Sequence, residues 1–339
     1  MLQGHGDDGY KHDRPILADF STNVWQAGAP LGLKDHLFAQ WDKVQRYPEV
    51  IAESLALKIS QHHGLSADHL LVANGSTESI YLIAQAFSAK RSAITIPSFS
   101  EYEDACRLFG HTLSFVNWDE VGQGKLPATD LLFICNPNNP TGQSLPQLEE
   151  IIAKNKSILF VVDEAFIEFT FSVSSVLNFV SKYDNLIVLR SMTKAYAIPG
   201  LRLGYMVAQP NLIKQLKSCK LPWTVNVMAI EAGHFIFDHL KDLQLPLQQM
   251  LLDKAAFIQS LAALDIIAEE SHTHFFIAKT PIFNAAALKT FLLGHYDLLI
   301  RDASNFRGLT DQHFRLATLS PVNNALLINA LSEWKHTSL

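Results

Sequence analysis

Hydrophobic and polar positions follow two patterns along the first two thirds of the chain. Short runs rich in Leu, Ile, Val and Phe predict buried β-strands, and the segments between them carry apolar residues at helical spacing. The predicted strands are Leu70–Ala73, Ala93–Ile96, Leu113–Val116, Leu131–Cys135, Ile158–Val162, Leu186–Leu189 and Leu203–Val207. The predicted helices include Glu53–His62, Ser79–Phe87, Tyr102–Leu108 and Leu145–Ala153.

Strands that alternate with helices indicate an α/β fold with a mainly parallel, doubly wound seven-stranded sheet, covered by helices on both faces. After Leu221-Pro-Trp-Thr224 the pattern changes to long amphipathic helices. Strand-like pieces follow at Phe275–Ala278, Leu298–Arg301 and Phe314–Thr318, and a helical pattern covers Asn324–Lys335. We therefore predict a large domain over residues 36–230 and a smaller α+β domain formed by residues 1–35 and 231–339.

Composition and charge argue against several classes of protein. Of the 339 residues, 48% are hydrophobic and 18% are charged, which is typical of a soluble globular protein. A net charge of −6 argues against nucleic acid and anionic membrane surfaces as partners. No apolar run is long enough for a transmembrane helix, and the first residues lack the pattern of a signal peptide. The three cysteines are far apart in sequence, so we expect reduced thiols and a cytoplasmic location.

Two other features suggest chemistry without the context that it requires. Residues Gly4–Gly9 match GxGxxG, but no strand precedes them and no helical pattern follows, so a dinucleotide site is not predicted. The histidines have neither a carboxylate nor a cysteine at the spacing of a metal site, so no metal is expected.

The loop Ser191–Tyr205 places a lysine after one predicted strand and before another. Ligands of α/β proteins bind at the carboxyl ends of the strands. Lys194 supplies an amine that can form a Schiff base, and pyridoxal phosphate (PLP) offers an aldehyde together with a phosphate. Ser191, Thr193 and Arg202 can hold a phosphate by hydroxyl and guanidinium contacts. A surface lysine in a turn is the alternative interpretation, and this loop alone does not exclude it.

The loops after two earlier predicted strands carry further candidates. Gly75, Ser76 and Thr77 open a predicted helix and form a possible phosphate cradle, although an ordinary helix cap gives the same pattern. Phe99 and Tyr102 follow the next strand, where an aromatic ring could stack on a planar cofactor or pack in the core.

Polar residues at the ends of the next two strands are more informative. Asn139 lies in Cys135–Gly142, a loop stiffened by prolines, where its amide could donate to a phenolate-like oxygen. Asp163 ends an apolar strand, and a buried carboxylate there is costly unless it is paired, for example with a protonated pyridine nitrogen. Arg301 and Arg315 lie in strand-like segments and suit bidentate capture of anionic groups, or salt bridges within the small domain.

Together these motifs resemble the fold-type I PLP enzymes of the aminotransferase class I/II superfamily, from about Asp19 to about Thr318. The resemblance rests on an ordered set: the Gly-Ser-Thr cradle, NPNNPTG, DEAF, SxTK and GLRLGY. Within the superfamily the chain resembles the histidinol-phosphate aminotransferase branch, which includes L-threonine-O-3-phosphate decarboxylase. The resemblance implies PLP as cofactor and a small phosphorylated amino acid or amine as substrate.

The resemblance also implies a role for each candidate residue. Lys194 would bind the cofactor covalently and transfer protons, while Asp163 would pair with the ring nitrogen. Tyr47 would reach the phosphate of a partner subunit, which implies a homodimer with shared active sites. The other implied contacts are Asn139 to the phenolic oxygen, Phe99 on the ring with Tyr102 nearby, Gly75, Ser76, Thr77, Ser191, Thr193 and Arg202 to the phosphate, and Arg315, Arg301, His5 and Asn23 to the substrate.

The resemblance leaves two reactions open, decarboxylation and transamination. Many of the aminotransferases have Tyr three residues after the ring-binding Asp, whereas this chain has Phe166, as the decarboxylase-like sequences also do. The segments Asp19–Asn23 and Leu221–Asn226 also look more like the decarboxylase. Both reactions need the same electron sink and the same lysine, and they differ in the Cα bond that the substrate contacts set for cleavage. We expect the decarboxylase, with an aminotransferase as the alternative.

Overall fold

The computed structural model describes residues 8–280 and 284–337. The strands are β1 (Ala18–Asp19), β2 (Leu70–Ala73), β3 (Arg91–Ile96), β4 (Thr112–Asn117), β5 (Leu131–Cys135), β6 (Leu159–Asp163), β7 (Leu186–Ser191), β8 (Gly204–Ala208), β9 (Ile267–Ala268), β10 (Phe275–Lys279), β11 (Leu298–Leu299), β12 (Arg301–Asp302) and β13 (His313–Ala317). The helices are α1 (Leu33–Ala39), α2 (Glu53–His62), α3 (Gly75–Ala86), α4 (Glu101–Leu108), α5 (Trp118–Gly122), α6 (Leu148–Lys154), α7 (Pro210–Cys219), α8 (Val227–Asp238), α9 (Leu247–Ala262), α10 (Ala285–Tyr296) and α11 (Pro321–Thr337).

The large domain contains a seven-stranded sheet in the order β2-β8-β7-β6-β5-β3-β4. All neighbouring strands are parallel except β8, which pairs antiparallel with both β2 and β7. The predicted mainly parallel sheet is therefore confirmed. The predicted strands match the seven observed strands, with ends that differ by one or two residues.

Helices cover both faces of this sheet, which explains why its strands are apolar along their whole length. In β6, Val161 belongs to the buried cluster that contains Ile83 of α3. The next residue, Val162, belongs to the cluster that contains Ile59 of α2 and Ile236 of α8. Alternate side chains of one strand thus bury themselves on opposite sides of the sheet, as the pleat requires.

The small domain contains a four-stranded sheet in the order β12-β13-β10-β9, with all pairs antiparallel, and a short parallel pair of β1 with β11. The single strand expected over Leu298–Arg301 is therefore two short strands with different partners. The chain changes partner at Ile300, because β1 of the N-terminal segment inserts next to β11. The hydrophobic pattern of residues 298–301 does not show this change of partner strand.

The predicted domain boundary at residue 230 falls inside α8. Ile230 and Ile236 of this helix belong to the core of the large domain, and so does Leu33 of α1. Among the described residues, no helix combines the length and the apolar character that a membrane crossing needs.

Candidate active site

A cavity of about 220 Å³ lies between the large sheet, the N-terminal segment and β13. Several lining residues come from the loops that follow the carboxyl ends of parallel strands, which is where ligands of α/β folds bind. The lining residues are Ser21, Thr22, Asn23, Val24, Ser76, Thr77, Phe99, Tyr102, Cys135, Asn139, Asp163, Ala165, Phe166, Thr193, Lys194, Pro199, Arg202 and Arg315.

Most of the predicted site residues meet at this cavity. Gly75 and Ser191 lie immediately behind its wall, since Gly75 abuts Arg202 and Ser191 shares a 2.9 Å hydrogen bond with Thr193. The predicted residues that line the cavity itself are Asn23, Ser76, Thr77, Phe99, Tyr102, Asn139, Asp163, Thr193, Lys194, Arg202 and Arg315.

The N-terminus of α3 and the guanidinium of Arg202 form a site suited to a phosphate. Gly75 has a φ of +78°, and a Cβ on this residue would lie 2.7 Å from Nη2 of Arg202. Glycine therefore lets the guanidinium approach the first turn of the helix. Within the described residues the Asn74 side chain makes no capping bond, so the amides of the first turn remain available for an anion.

The backbone around Arg202 fixes the position of its side chain. The residue has a left-handed conformation with a φ of +61°, and its Nη1 donates to the carbonyl of Pro199 at 3.0 Å. A fixed cation next to a helix N-terminus has the charge and the hydrogen-bond donors that the phosphate of PLP requires. This arrangement fits the phosphate end of the cofactor.

Asp163 ends β6 in the floor of the cavity and is buried. One of its carboxylate oxygens accepts from the Tyr102 hydroxyl at 2.8 Å, and the other accepts from the backbone N–H of Ala165 at 3.0 Å. Burial raises the pKa of Asp163, although these hydrogen bonds and the charge of Lys194 oppose the shift. A carboxylate that burial disfavours gains most from a cationic partner, so the site fits a protonated pyridine nitrogen.

Lys194 lies in a tight loop directly after β7. The loop is closed by a 3.3 Å hydrogen bond from the Ala197 N–H to the Lys194 carbonyl. The same carbonyl accepts from the backbone N–H of Trp25 at 3.0 Å, which ties the N-terminal segment to the lysine loop. The lysine side chain therefore enters the cavity from a rigid backbone, close enough to Asp163 for their charges to interact.

Arg315 of β13 closes the opposite side of the cavity and is only 6% exposed. Its Nη1 donates to Oδ1 of Asn139 and its Nη2 to the carbonyl of Ser21, both at 2.5 Å. In this arrangement the Asn139 amide nitrogen is the end that can donate to a cofactor oxygen. Burial, together with the charge of Arg301, lowers the pKa of Arg315 to about 9.

Two unsatisfied groups show that the cavity is built to receive polar atoms. Neither polar atom of the buried Asn23 side chain has a hydrogen-bond partner among the described residues, and the same holds for Nε of Arg315. Buried polar groups of this kind are costly unless a ligand or an ordered water satisfies them. An anionic group of a substrate would satisfy Arg315, which has no carboxylate within salt-bridge distance in the described part of the chain.

Two predicted residues of the described part of the chain, Arg301 and Tyr47, lie away from this cavity. Arg301 is buried beside it and lines a neighbouring cavity with Asp8 and Lys289. Tyr47 is 83% exposed and packs against Trp223, with ring centroids 5.0 Å apart. His5 lies outside the described residues. Their predicted roles stay predictions.

Several residues without a predicted role also line the cavity. Ser21, Thr22 and Val24 flank Asn23, and they reach the site because the N-terminal segment pairs with the small domain. In detail, the Phe20 N–H donates to the Leu299 carbonyl at 2.8 Å. Cys135, Ala165 and Pro199 also line the cavity next to residues that were predicted.

The structure shows no metal site within the described residues, as judged from clusters of His, Cys, Asp and Glu side chains. A lysine, a buried carboxylate and a phosphate cradle at the strand ends of this sheet instead define the chain as a PLP-dependent enzyme of fold type I. PLP is its cofactor.

Comparisons with known proteins agree with this class. Residues 19–331 match the sequence model of the aminotransferase class I and II family, and the chain belongs to this family. The chain is 31% identical over 330 residues to the threonine-phosphate decarboxylase of Salmonella typhimurium, covering 93% of this chain and 90% of that protein. It is 30% identical to a histidinol-phosphate aminotransferase of Desulfitobacterium hafniense, covering 90% and 88% of the two chains.

A solved structure is also similar over nearly the whole chain. It is the L-threonine-O-3-phosphate decarboxylase from Porphyromonas gingivalis, with a TM-score of 0.92 and 36% sequence identity. The match covers 94% of this chain and all of that chain. The predicted family, fold and cofactor are confirmed.

Proposed function

We propose that the protein decarboxylates L-threonine-O-3-phosphate to (R)-1-aminopropan-2-yl phosphate, a side-chain precursor of cobalamin. The observation that carries the proposal is a pair of buried arginines on neighbouring strands. Arg301 of β12 and Arg315 of β13 are register partners, and both are 6% exposed. Two buried cations on adjacent strands suit a small substrate with two anionic groups. The likeness to the decarboxylases from Salmonella typhimurium and Porphyromonas gingivalis supports the same choice.

Each site residue has a separate task in this proposal. PLP, when bound, is an electron sink that stabilises negative charge at the substrate Cα. Asp163 would hold the ring nitrogen in its protonated form, and Asn139 would donate to the phenolic oxygen. Lys194 would bind the cofactor and, as an ammonium group, would donate a proton at Cα. The α3 N-terminus and Arg202 would hold the cofactor phosphate, and Phe99 lines the same cavity.

The choice of reaction depends on how the substrate is held. Arg315 binds the α-carboxylate, and Arg301 binds the substrate phosphate from the adjacent strand. With both ends fixed, only one bond at Cα can take the orientation that cleavage requires. Phe166 lines the cavity at 3% exposure and brings no hydroxyl to the phenolic oxygen. Its ring gives the cavity wall an apolar surface, and apolar surroundings favour loss of a neutral CO2 molecule from a charged carboxylate.

A histidinol-phosphate aminotransferase is the second candidate. The relative in Desulfitobacterium hafniense is nearly as similar in sequence as the decarboxylase of Salmonella typhimurium. The same lysine, carboxylate and arginines would serve transamination. In that case 2-oxoglutarate would accept the amino group, and Cα–H cleavage would replace Cα–carboxylate cleavage.

Product analysis separates the two candidates. Purified holoenzyme is incubated with L-threonine-O-3-phosphate alone, and separately with histidinol phosphate plus 2-oxoglutarate. We expect CO2 and aminopropanol phosphate from the first mixture and little glutamate from the second. Glutamate from the second mixture without CO2 from the first would establish the aminotransferase and reject the decarboxylase.

We also propose that the enzyme is a homodimer with shared active sites. An apolar surface groove of about 400 Å³ is lined by Leu37, Phe38, Trp41 and Met228, and also by Pro199, which lines the active-site cavity. Phe38 and Trp41 are more than half exposed. A second copy packed on this surface would bury these side chains and would bring its own Tyr47 towards the phosphate cradle.

Mixing two variants of reduced activity tests whether the two subunits share their active sites. Tyr47→Phe and Lys194→Ala protomers are each expected to have reduced activity, because each damages every site of its own homodimer. In a mixed dimer one site carries both substitutions and the other carries neither, so activity is expected to rise after subunit exchange. Exchange is followed by mass spectrometry of the intact dimer. No gain in activity despite complete exchange, or an active monomer, would contradict the proposal.

We place the enzyme in the cytoplasm. Cys106 and Cys135 are buried free thiols, and Cys219 is also unpaired. Unpaired cysteines are typical of reducing compartments. Fractionation of source cells would test the location, and recovery outside the cytoplasm would contradict it.

A further inference from the structure

A loop of the small domain reaches across to the edge of the large sheet. It comprises residues 303–309 between β12 and β13, and we call it the 303–309 loop. Between this loop and the large domain lies a cavity of about 420 Å³, lined among others by Phe99, Phe115, Asn305 and Arg307. Phe99 also lines the active-site cavity, so the two cavities share this residue in their walls.

Arg307 joins this loop to two elements of the large domain. Its Nη2 lies 2.9 and 3.1 Å from the two carboxylate oxygens of Glu103 on α4, and its Nε lies 3.3 Å from one of them. The guanidinium also lies over the ring of Phe115 on β4, 4.0 Å from its centroid. A planar guanidinium that bonds a carboxylate and stacks on a ring has little freedom to move.

The carboxylate of Glu103 is shared by two arginines. Arg107, one turn further along α4, donates to the same Glu103 side chain at 2.6 and 2.9 Å. Burial alone would raise the pKa of Glu103, but the hydrogen bonds from Arg307 and Arg107 outweigh it, and the pKa lies below its ordinary value. Glu103 is therefore charged at neutral pH. Of these two arginines, Arg107 lies on the same helix as Glu103, whereas Arg307 belongs to the small domain.

Two residues of the 303–309 loop contact Arg301, which precedes the loop in the chain. The Arg301 Nη2 donates to Oδ1 of Asn305 at 2.8 Å, and its guanidinium lies 5.2 Å from the centroid of Phe306. The loop is folded on itself by backbone bonds from Phe306 N–H to Ala303 at 3.1 Å and from Leu309 N–H to Phe306 at 3.0 Å. Arg307 directly follows Asn305 and Phe306, the two loop residues that contact Arg301.

We infer that Arg307 is a positioning residue, whose contact with Glu103 and Phe115 fixes the 303–309 loop and thereby holds Arg301 beside Arg315 at the substrate site. The inference rests on the proposed function, in which Arg301 binds the substrate phosphate. Arg307 itself lines the outer cavity and does not contact the active-site cavity. Its effect on the substrate is transmitted through Asn305 and Phe306.

The test compares Arg307→Ala with a control on the same carboxylate. Arg307→Ala is expected to raise KM for L-threonine-O-3-phosphate about three- to fivefold, since partly exposed ion pairs have modest energies. The value of kcat and the affinity for PLP are expected to stay near those of the wild type. Arg107→Ala also removes a guanidinium from Glu103, but within one helix, and should leave KM unchanged.

A double-substitution cycle tests whether the pair acts as a unit. Glu103→Ala should raise KM to the same extent as Arg307→Ala, and the double variant should be no worse than either alone. Independent additive effects would mean that the two side chains do not act through a common contact. Arg307→Lys keeps the charge and should recover part of the KM change. This variant distinguishes the loss of the contact from a general loss of folded protein.

Hydrogen exchange of the holoenzyme, followed by mass spectrometry, gives a readout that does not depend on the reaction. The amides of residues 303–309 are expected to exchange faster in Arg307→Ala and at the wild-type rate in Arg107→Ala. Faster exchange with an unchanged KM would overturn the inference, as would an unchanged exchange rate. If product analysis identifies histidinol phosphate as the substrate, its KM is measured instead. In that case the decarboxylase proposal fails, but the KM of Arg307→Ala for histidinol phosphate still tests the inference about Arg307.

Discussion

Replacing Lys194 with alanine is expected to reduce turnover about a thousandfold or more, because in the proposed function one side chain would provide both the covalent attachment and the proton transfer. The phosphate cradle does not involve this side chain. Gly75, the first turn of α3 and Arg202 remain intact in the variant, so PLP should still bind noncovalently. The expected result is therefore a protein that retains the cofactor and has lost the chemistry.

Borohydride reduction followed by peptide mapping measures the first half of this prediction. The wild type should carry reduced PLP on the peptide that contains Lys194, and the variant should carry none. Lys182→Ala is a suitable control, since Lys182 is exposed and pairs with Glu149 on the surface. It should keep both the label and the activity. Labelling of another lysine in the wild type would refute the assignment.

Replacing Asp163 with asparagine should have the second largest effect. Loss of one partner from a buried ion pair costs about 3–5 kcal/mol, which corresponds to a loss of activity of roughly a hundredfold to five-thousandfold. Asparagine has nearly the same size, but its single carbonyl oxygen can accept from only one of Tyr102 and Ala165, so the substitution removes one hydrogen bond together with the charge. The substitution should weaken the electron sink, because the ring nitrogen would no longer be held protonated.

Two measurements separate this effect from damage to the fold. The unfolding temperature of the Asp163→Asn apoprotein is not expected to fall, because the substitution removes a buried charge whose burial is unfavourable. Tyr102→Phe is the matched control, since it removes one hydrogen bond and keeps the carboxylate charge. It should reduce activity about tenfold. Full activity of Asp163→Asn would exclude an ion pair with the cofactor.

Local sequence was sufficient to predict the sheet and most of the candidate site. Short apolar runs such as Leu131–Cys135, bounded by turn residues, favour buried strands, and polar residues directly after parallel strands lie at the carboxyl edge of the sheet. Asp163, Asn139 and Lys194 were identified for this reason, and the structure places all three at one cavity. Their individual roles towards PLP remain predictions.

Contacts between segments that are distant in sequence could not be predicted in this way. The approach of Arg202 to Gly75 depends on β8 lying next to β2, and strand order is not encoded in any single run. The bond from Arg315 to Asn139 depends on how the small domain packs on the large one. In both cases the contact joins residues that become neighbours only after the chain has folded.

The residues around Arg301 and Arg315 show the same division. The sequence by itself determined that Arg301 and Arg315 lie in strands, because each interrupts an apolar run. Only the tertiary structure decided that they are register partners, and that Arg301 is held by Asn305 while Arg307 reaches Glu103. The physical reason is that a strand pattern fixes which face a side chain occupies, whereas the partner across the sheet is chosen by the packing of the whole domain.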